Sequence, residues 1–245
     1  MKRLFILFLI ALLNSTILWA GPIKTIRFAV EATYPPFEYI DASGQIKGFD
    51  IDLAYALCAR IKATCTFTHQ TFNSLITSLN LGKFDAIISA ISITQERLQK
   101  VSFTTPYYEP SACLVAAIGQ ASNIVGKKIG VQQGTTMEKY INEKYGNQVS
   151  IKTYASIQEA FLDLISGRVN FIITDLPIAQ TWLKKDNHDK HYGIIGKPII
   201  DPLYFGVGYG IAVRKDDIEL LNALNKALAE IKADGTYHTL VKKYF

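Results

Sequence analysis

Short runs of β-branched and apolar residues alternate along this chain with longer stretches whose apolar residues fall three and four apart, the spacings of buried strands and amphipathic helices. Thr25–Val30 (TIRFAV) reads as a first strand and Ile51–Ile61 (IDLAYALCARI) as a helix. Phe72–Leu81 gives a second helix, stopped by Gly82, a residue type that readily turns left-handed past a helix end. Asp85–Ile88 is an apolar strand whose far end turns polar at Ser89, Ser92 and Thr94, and Thr94 is placed to cap the helix that carries Arg97. Val101–Tyr108 runs extended toward Cys113, and the pattern then begins again. Strand Lys128–Val131, the polar turn Gln132–Thr136, helix Met137–Tyr145, strand Ser150–Tyr154, helix Ile157–Ser166 and strand Phe171–Asp175 form a second unit. Gly206–Gly210 (GVGYG) leads into a last strand, and the helices Asp217–Ala233 and Tyr237–Phe245 close the chain. This order predicts an α/β protein with parallel sheets and right-handed crossovers. Ligands of such sheets collect outside the carboxyl ends of strands, so two units facing each other would set Asp175 opposite Arg97.

Arg97 is the anomaly in this pattern. A cation in the first turn of a helix faces the positive end of the dipole, at a cost of roughly 0.3 to 1 kcal/mol. The position suits a cation if an anion joins it, because helix-start N–H groups and a guanidinium fork together cradle a carboxylate, with the hydroxyls of Ser89 and Ser92 alongside. On this stretch alone the other reading is a solvated Arg97 paired with Glu96 or Glu109. Two prolines stiffen the loop after the first strand and hold Glu31 and Tyr34 beyond its carboxyl end. Each of these residues has an ordinary alternative: Tyr34 and Phe72 as packing residues, Glu31 as a solvated acid, Asp175 as the cap of a helix opening Leu176-Pro177.

The start of the chain sets the compartment. Lys2 and Arg3 precede an apolar run, Leu4–Leu18, that is interrupted at Asn14-Ser15-Thr16 and ends at Trp19-Ala20, which predicts an export signal over residues 1–20. A membrane anchor is the alternative, but the run is short and broken for a span of about 20 residues. No cysteine stands at the cleavage point to take a lipid. Losing Lys2 and Arg3 brings the formal charge down from +5, too mild a balance to argue for nucleic acid. Cys58 closes a helix and Cys65 opens a strand, so a short bridge between them would staple the two, while Cys113, in the apolar run CLVAAI, reads as a buried thiol. The spacing supports neither a CxxC redox site nor a zinc site, and His69, His188, His191 and His238 are scattered, the last close pair lying in the charged loop KKDNHDKH. No metal or organic cofactor is implied.

Taken together, TYPPFEYIDASGQIKGFDIDLAYALC, FDAIISAISITQER, FTTPYY, GVQQGTT, the strand end at Asp175 and ADGTYHTLVKKYF resemble the periplasmic polar amino-acid-binding proteins of ABC importers. The likeness runs through the chain in order and is closest to the arginine-binding and lysine/arginine/ornithine-binding members. The resemblance implies a two-lobed Venus-flytrap fold with two crossover hinge strands: one lobe of 22–111 plus 208–245, the other of 112–207. It implies that Arg97 grips the ligand carboxylate, helped by N–H groups near Ser92 and by Thr136 across the cleft, and that Asp175 receives the α-ammonium, with Ser89 and Thr135 also expected at the ligand. Tyr34 and Phe72 would sandwich the side chain, and Glu31 would receive its distal cation; stacking of that cation between rings is worth about 2 kcal/mol when desolvated. Ala90 stands where some members carry serine, Met137 where glutamine is common and Gln132 where leucine is common, which bears on side-chain preference. The expected protein is a monomeric periplasmic receptor for L-arginine or another basic amino acid, delivering it to a membrane permease and not acting as an enzyme. The competing expectation is a flytrap-fold cyclohexadienyl dehydratase with a cleft carboxyl as general acid.

Overall fold

The computed structural model describes residues 23–109 and 111–245, so the export signal expected over 1–20 lies outside the described residues. β1 (Thr25–Val30) leads into a small antiparallel ribbon, β2 (Thr33–Tyr34), β3 (Glu38–Ile40) and β4 (Ile46–Lys47), and then helix α1 (Phe49–Ile61). β5 (Thr64–His69), α2 (Leu75–Asn80), β6 (Ala86–Ile87), the one-turn α3 (Gln95–Leu98) and β7 (Ser102–Phe103) follow. The second unit holds β8 (Ala112–Ala117), β9 (Lys128–Gln132), α4 (Thr136–Tyr145), β10 (Ser150–Tyr154), α5 (Ile157–Ile165), β11 (Phe171–Asp175), α6 (Leu176–Lys184), β12 (Tyr192–Ile199) and α7 (Pro202–Phe205). β13 (Ala212–Val213), α8 (Ile218–Ala233) and α9 (Thr236–Tyr244) return to the first unit, the two helices packing on α1.

Two five-stranded sheets define two lobes, ordered β5-β1-β6-β13-β7 and β10-β9-β11-β8-β12. They share one plan, and in both the central strand is buried along its length, including all five residues of β11. The sheets are mixed rather than parallel as the alternation predicted. β13 runs against β6 and β7, and β8 runs against β11 and β12. The reason is the route of the chain: a strand arriving from the other lobe enters at the carboxyl edge, where Ala112 pairs with Asp175, and so must run backwards through the sheet.

The chain passes between lobes twice, and the two passages are hydrogen-bonded to each other. The Tyr107 N–H donates to the Tyr209 carbonyl and the Tyr209 N–H to the Tyr108 carbonyl, each at 2.8 Å. Gly208 permits this approach: its φ is +145°, and a Cβ there would stand 2.5 Å from the Cβ of Pro106. Rings from distant parts of the chain gather beside the passages, with Phe245 4.8 Å from Tyr108 and 5.2 Å from Phe37 between centroids.

Cys58 and Cys65 are disulfide-bonded across Cα atoms 6.1 Å apart, joining the end of α1 to β5. Cys58→Ser should lower folding stability by about 2 to 3 kcal/mol on chain-entropy grounds, read as a shift in urea midpoint. Cys113 is a buried free thiol in β8 whose pKa burial pushes up to about 12, leaving it an unreactive packing group. The charged loop after α6 is exposed as expected, except for His188, whose ring stacks on Trp182 at 4.2 Å.

Candidate ligand-binding cleft

Arg97 owes its position to a local cap. Thr94 is extended, and its hydroxyl accepts the Arg97 N–H at 3.3 Å, which starts α3 there and turns the guanidinium inward. Arg97 is only 9% exposed. It donates to the Ser92 carbonyl at 3.0 Å and, across the lobes, to the Gly134 carbonyl at 3.1 Å, with its guanidinium 5.3 Å from the centroid of Phe72. The solvated pairing with Glu96 does not form, because Glu96 bridges Lys100 and Lys139 instead. Among the described residues no carboxylate lies within salt-bridge distance of Arg97. Burial lowers its pKa to about 10, so it remains a cation at neutral pH but an incompletely compensated one.

Asp175 stands at the far wall, at the carboxyl end of β11. Its backbone precedes α6, yet its side chain makes no capping bond; Oδ2 accepts the Tyr34 hydroxyl at 2.6 Å, joining the lobes. Oδ1 is buried without a partner. Burial raises the Asp175 pKa to about 6, against the opposing pull of the neighbouring Tyr209 and Tyr34 hydroxyls and the charge of Arg97.

Glu31 is 2% exposed just past β1. Its Oε1 accepts the Thr33 hydroxyl, and its Oε2 is buried with no partner. Burial pushes its pKa up to about 7; Thr33 and the nearby Gln132 amide oppose the rise, and the charge of Glu159 adds to it. Ser89 serves the frame of this site rather than its lumen. Its hydroxyl accepts the Glu31 N–H at 2.9 Å and donates to Glu38 at 2.8 Å. Ala90 sits at φ +41°, an unfavourable conformation for a residue with a Cβ, and is held there by Asp50, which accepts its N–H and the Tyr107 hydroxyl, both at 2.8 Å. Glu38 and Asp50 are both buried, and burial together with repulsion from Asp50 holds Glu38 well above the usual carboxylate range. Sequence reasoning passed over this pair, and nothing in EYI or GFDID separates a buried acid from a solvated one.

With the exceptions of Glu31 and Ser89, the residues expected to bind ligand line one cavity. Tyr34, Phe72, Ala90, Ser92 and Arg97 face Gln132, Thr135, Thr136 and Asp175, with Met137 beside them. Its volume is about 20 Å³, room for one water. The lobes are shut upon it: Asn73 donates to Gln133 at 3.0 Å, Gln158 to the Thr33 carbonyl at 3.2 Å, and Lys139 pairs with Glu96 at 3.2 Å. Gly134, at φ +77°, makes the contact close, for a Cβ there would lie 2.9 Å from that of Asn73. A free amino acid therefore enters only if the lobes part. A groove of about 410 Å³ opens outside this seam, between Thr94–Arg97 and Gly134–Lys139. Among the described residues no group of His, Cys, Asp or Glu converges as a metal site would, and no helix is long and apolar enough to cross a membrane.

The model of the bacterial extracellular solute-binding proteins, family 3, matches residues 26–245. The chain belongs to that family. Among its curated relatives, the ABC transporter arginine-binding protein 1 of Escherichia coli is 47% identical over 100% of this chain and 99% of its own length. The histidine-binding periplasmic protein of Salmonella typhimurium is 40% identical over 96% of this chain and 93% of its own. Among solved structures, a Salmonella typhimurium periplasmic binding protein described as highly arginine-specific superposes with a TM-score of 0.86 at 41% identity, covering 91% of this chain and 99% of that one. An ancestral amino-acid-binding protein described as a precursor of cyclohexadienyl dehydratase superposes at 0.80 with 34% identity, covering 90% and 95%. The two lobes enclose a cleft, and Ser92, Arg97, Gln132, Thr135, Thr136 and Asp175 converge on it.

Proposed function

We propose that this protein binds L-arginine or a related basic amino acid between its lobes in the periplasm, as a monomer, and delivers it to the membrane permease of an ABC importer. One observation carries the reading. A buried guanidinium without a carboxylate partner and the buried Asp175 carboxyl, one oxygen of which lacks any partner, line one closed cleft, and Glu31, buried with an unpartnered oxygen of its own, stands near Gln132 of its wall. A basic amino acid supplies the matching charges: its carboxylate for Arg97, its α-ammonium for Asp175 and its distal cation for Glu31. Thr135, Thr136 and the backbone near Ser92 would complete the carboxylate cradle, with Tyr34 and Phe72 packing the side chain and Ala90 and Gln132 shaping its space. Ser89 would act through Glu31, by fixing its backbone. The membership of the two sheets supports a division into 22–111 with 208–245 against 112–207, and residues 1–20 would direct export. The relatives named for arginine, lysine/arginine/ornithine and histidine support a basic ligand.

A carboxyl with a pKa near 7 would also suit a general acid, which is the dehydratase reading. The two separate on protein unfolded, washed free of carried-over ligand and refolded. In a thermal-shift panel, arginine, lysine or ornithine at 100 times Kd should raise Tm by roughly 5 to 10 °C. Neutral and acidic amino acids should do less. Aromatisation of arogenate or prephenate at catalytic protein levels, with no basic amino acid shifting Tm, would overturn the proposal.

A further inference from the structure

We infer that Glu159, on the second lobe, reads the ligand's side-chain charge jointly with Glu31 on the first, so that this end of the cleft closes most readily around a cation. The inference rests on the amino-acid-binding role proposed above and assigns a further residue to its specificity.

The start of α5 meets the β2 ribbon at this end of the seam, where Gln158 donates to the Thr33 carbonyl and Thr33 in turn holds Glu31. Glu159 is the third residue of α5 and its side chain folds back, Oε2 accepting the Ala155 N–H at 3.2 Å. The Ala155 carbonyl accepts from the Gln132 amide at 3.4 Å, and Gln132 lines the cleft. Hydrogen bonds from Glu31 through Thr33 to Gln158, the chain neighbour of Glu159, therefore span the lobes at this end. Glu31 is buried with an unpartnered oxygen, Glu159 is exposed, and among the described residues neither takes part in an ion pair. The rise in the Glu31 pKa that Glu159 contributes is the electrostatic trace of this proximity. Bringing the lobes together sets two like charges near each other, which is unfavourable unless a positive charge lies between them. A guanidinium or ammonium turns the repulsion into attraction; a neutral side chain of the same shape leaves it in place.

Glu159 has an ordinary duty as well, because the Ser156 hydroxyl accepts its N–H at 3.3 Å in a capping arrangement. Glu159→Gln leaves that backbone bond in place, keeps an oxygen for the Ala155 N–H and removes only the charge, while Glu159→Asp keeps the charge. The probes are arginine and citrulline, which differ by a guanidinium against a neutral ureido group, with citrulline measured by competition against arginine so that weak binding still registers. Glu159→Gln should lower the arginine-to-citrulline affinity ratio about threefold to tenfold, a discounted Coulomb effect for an exposed partner, with Tm unchanged. Glu159→Asp should hold the ratio. An unchanged ratio in Glu159→Gln, alongside a collapsed ratio in Glu31→Gln, overturns this inference alone. No arginine binding by the parent, or no change of ratio in Glu31→Gln, removes the site reading and this inference with it.

Discussion

Arg97→Met is expected to weaken amino-acid binding at least a hundredfold while leaving the ligand-free protein as stable as the parent, or more so. The two halves of the result have one cause. The guanidinium is buried with two carbonyl acceptors and one ring face but no counter-ion, so its desolvation is only partly offset until a carboxylate arrives. Deleting one member of a buried charge pair costs the complex about 3 to 5 kcal/mol, whereas a hydrophobic replacement of similar volume is often neutral or stabilising in the free protein. Isothermal calorimetry with arginine and a thermal melt without ligand check both. Retained binding would dismiss the carboxylate assignment; loss of binding together with a collapsed fold would make Arg97 a structural residue.

The second large effect concerns Glu31 and pH. Glu31→Gln should weaken arginine roughly 30- to 100-fold, the value of a lost charge-assisted bond, and citrulline by no more than about threefold. Its pH signature is separable. A distal cation needs the ionised carboxylate, and the ligand-free carboxyl titrates at about 7. Above that pH binding proceeds without expelling a proton; as pH falls through 7 a proton must be released, so arginine affinity should drop roughly tenfold from pH 8 to pH 6. Asp175, at about 6, adds only the beginning of a second decline in that window, common to all amino acids. Glu31→Gln should flatten the arginine slope. The folded-state pKa is raised from 4.5, so ionising Glu31 costs the ligand-free fold about 3 kcal/mol above pH 7, and Glu31→Gln should also be more stable than the parent at pH 8. A slope equal in parent and variant would rule out Glu31 as the group that titrates.

Periodicity carried most of the architecture. The long helices and the apolar strands fall where three-four and β-branched spacing put them, because their burial is decided locally by which face must leave water. Strand direction was out of reach: β8 and β13 run against their neighbours through the path of the chain between lobes, a long-range fact that no local window holds. Of the site, Thr94 and Arg97 were readable from a cap followed by a misplaced cation, and that position is buried and faces the cleft. Asp175 was readable as a strand end but ambiguous as a cap until its side chain was found on Tyr34. Glu38, Asp50 and Glu159 were unreadable. Acids next to turns and helix starts are ordinarily solvated, and only the pairing of residues tens of positions apart shows that two of these are buried and that the start of α5, which carries the third, meets the opposite lobe.

β13 lies between β6 and β7, so the outer strand of the first sheet has no place to pair until Ala212 and Val213 exist. The sheet of the second lobe, by contrast, is contiguous from Ala112 to Ile199. A chain that emerges amino end first can thus assemble its middle before its beginning, and the first-made strands must wait, partly paired, for nearly the last. Truncation anywhere before Val213 would then leave a half-finished sheet edge exposed, which makes loss of the carboxyl end a more serious lesion for this protein than its absence from the cleft lining suggests.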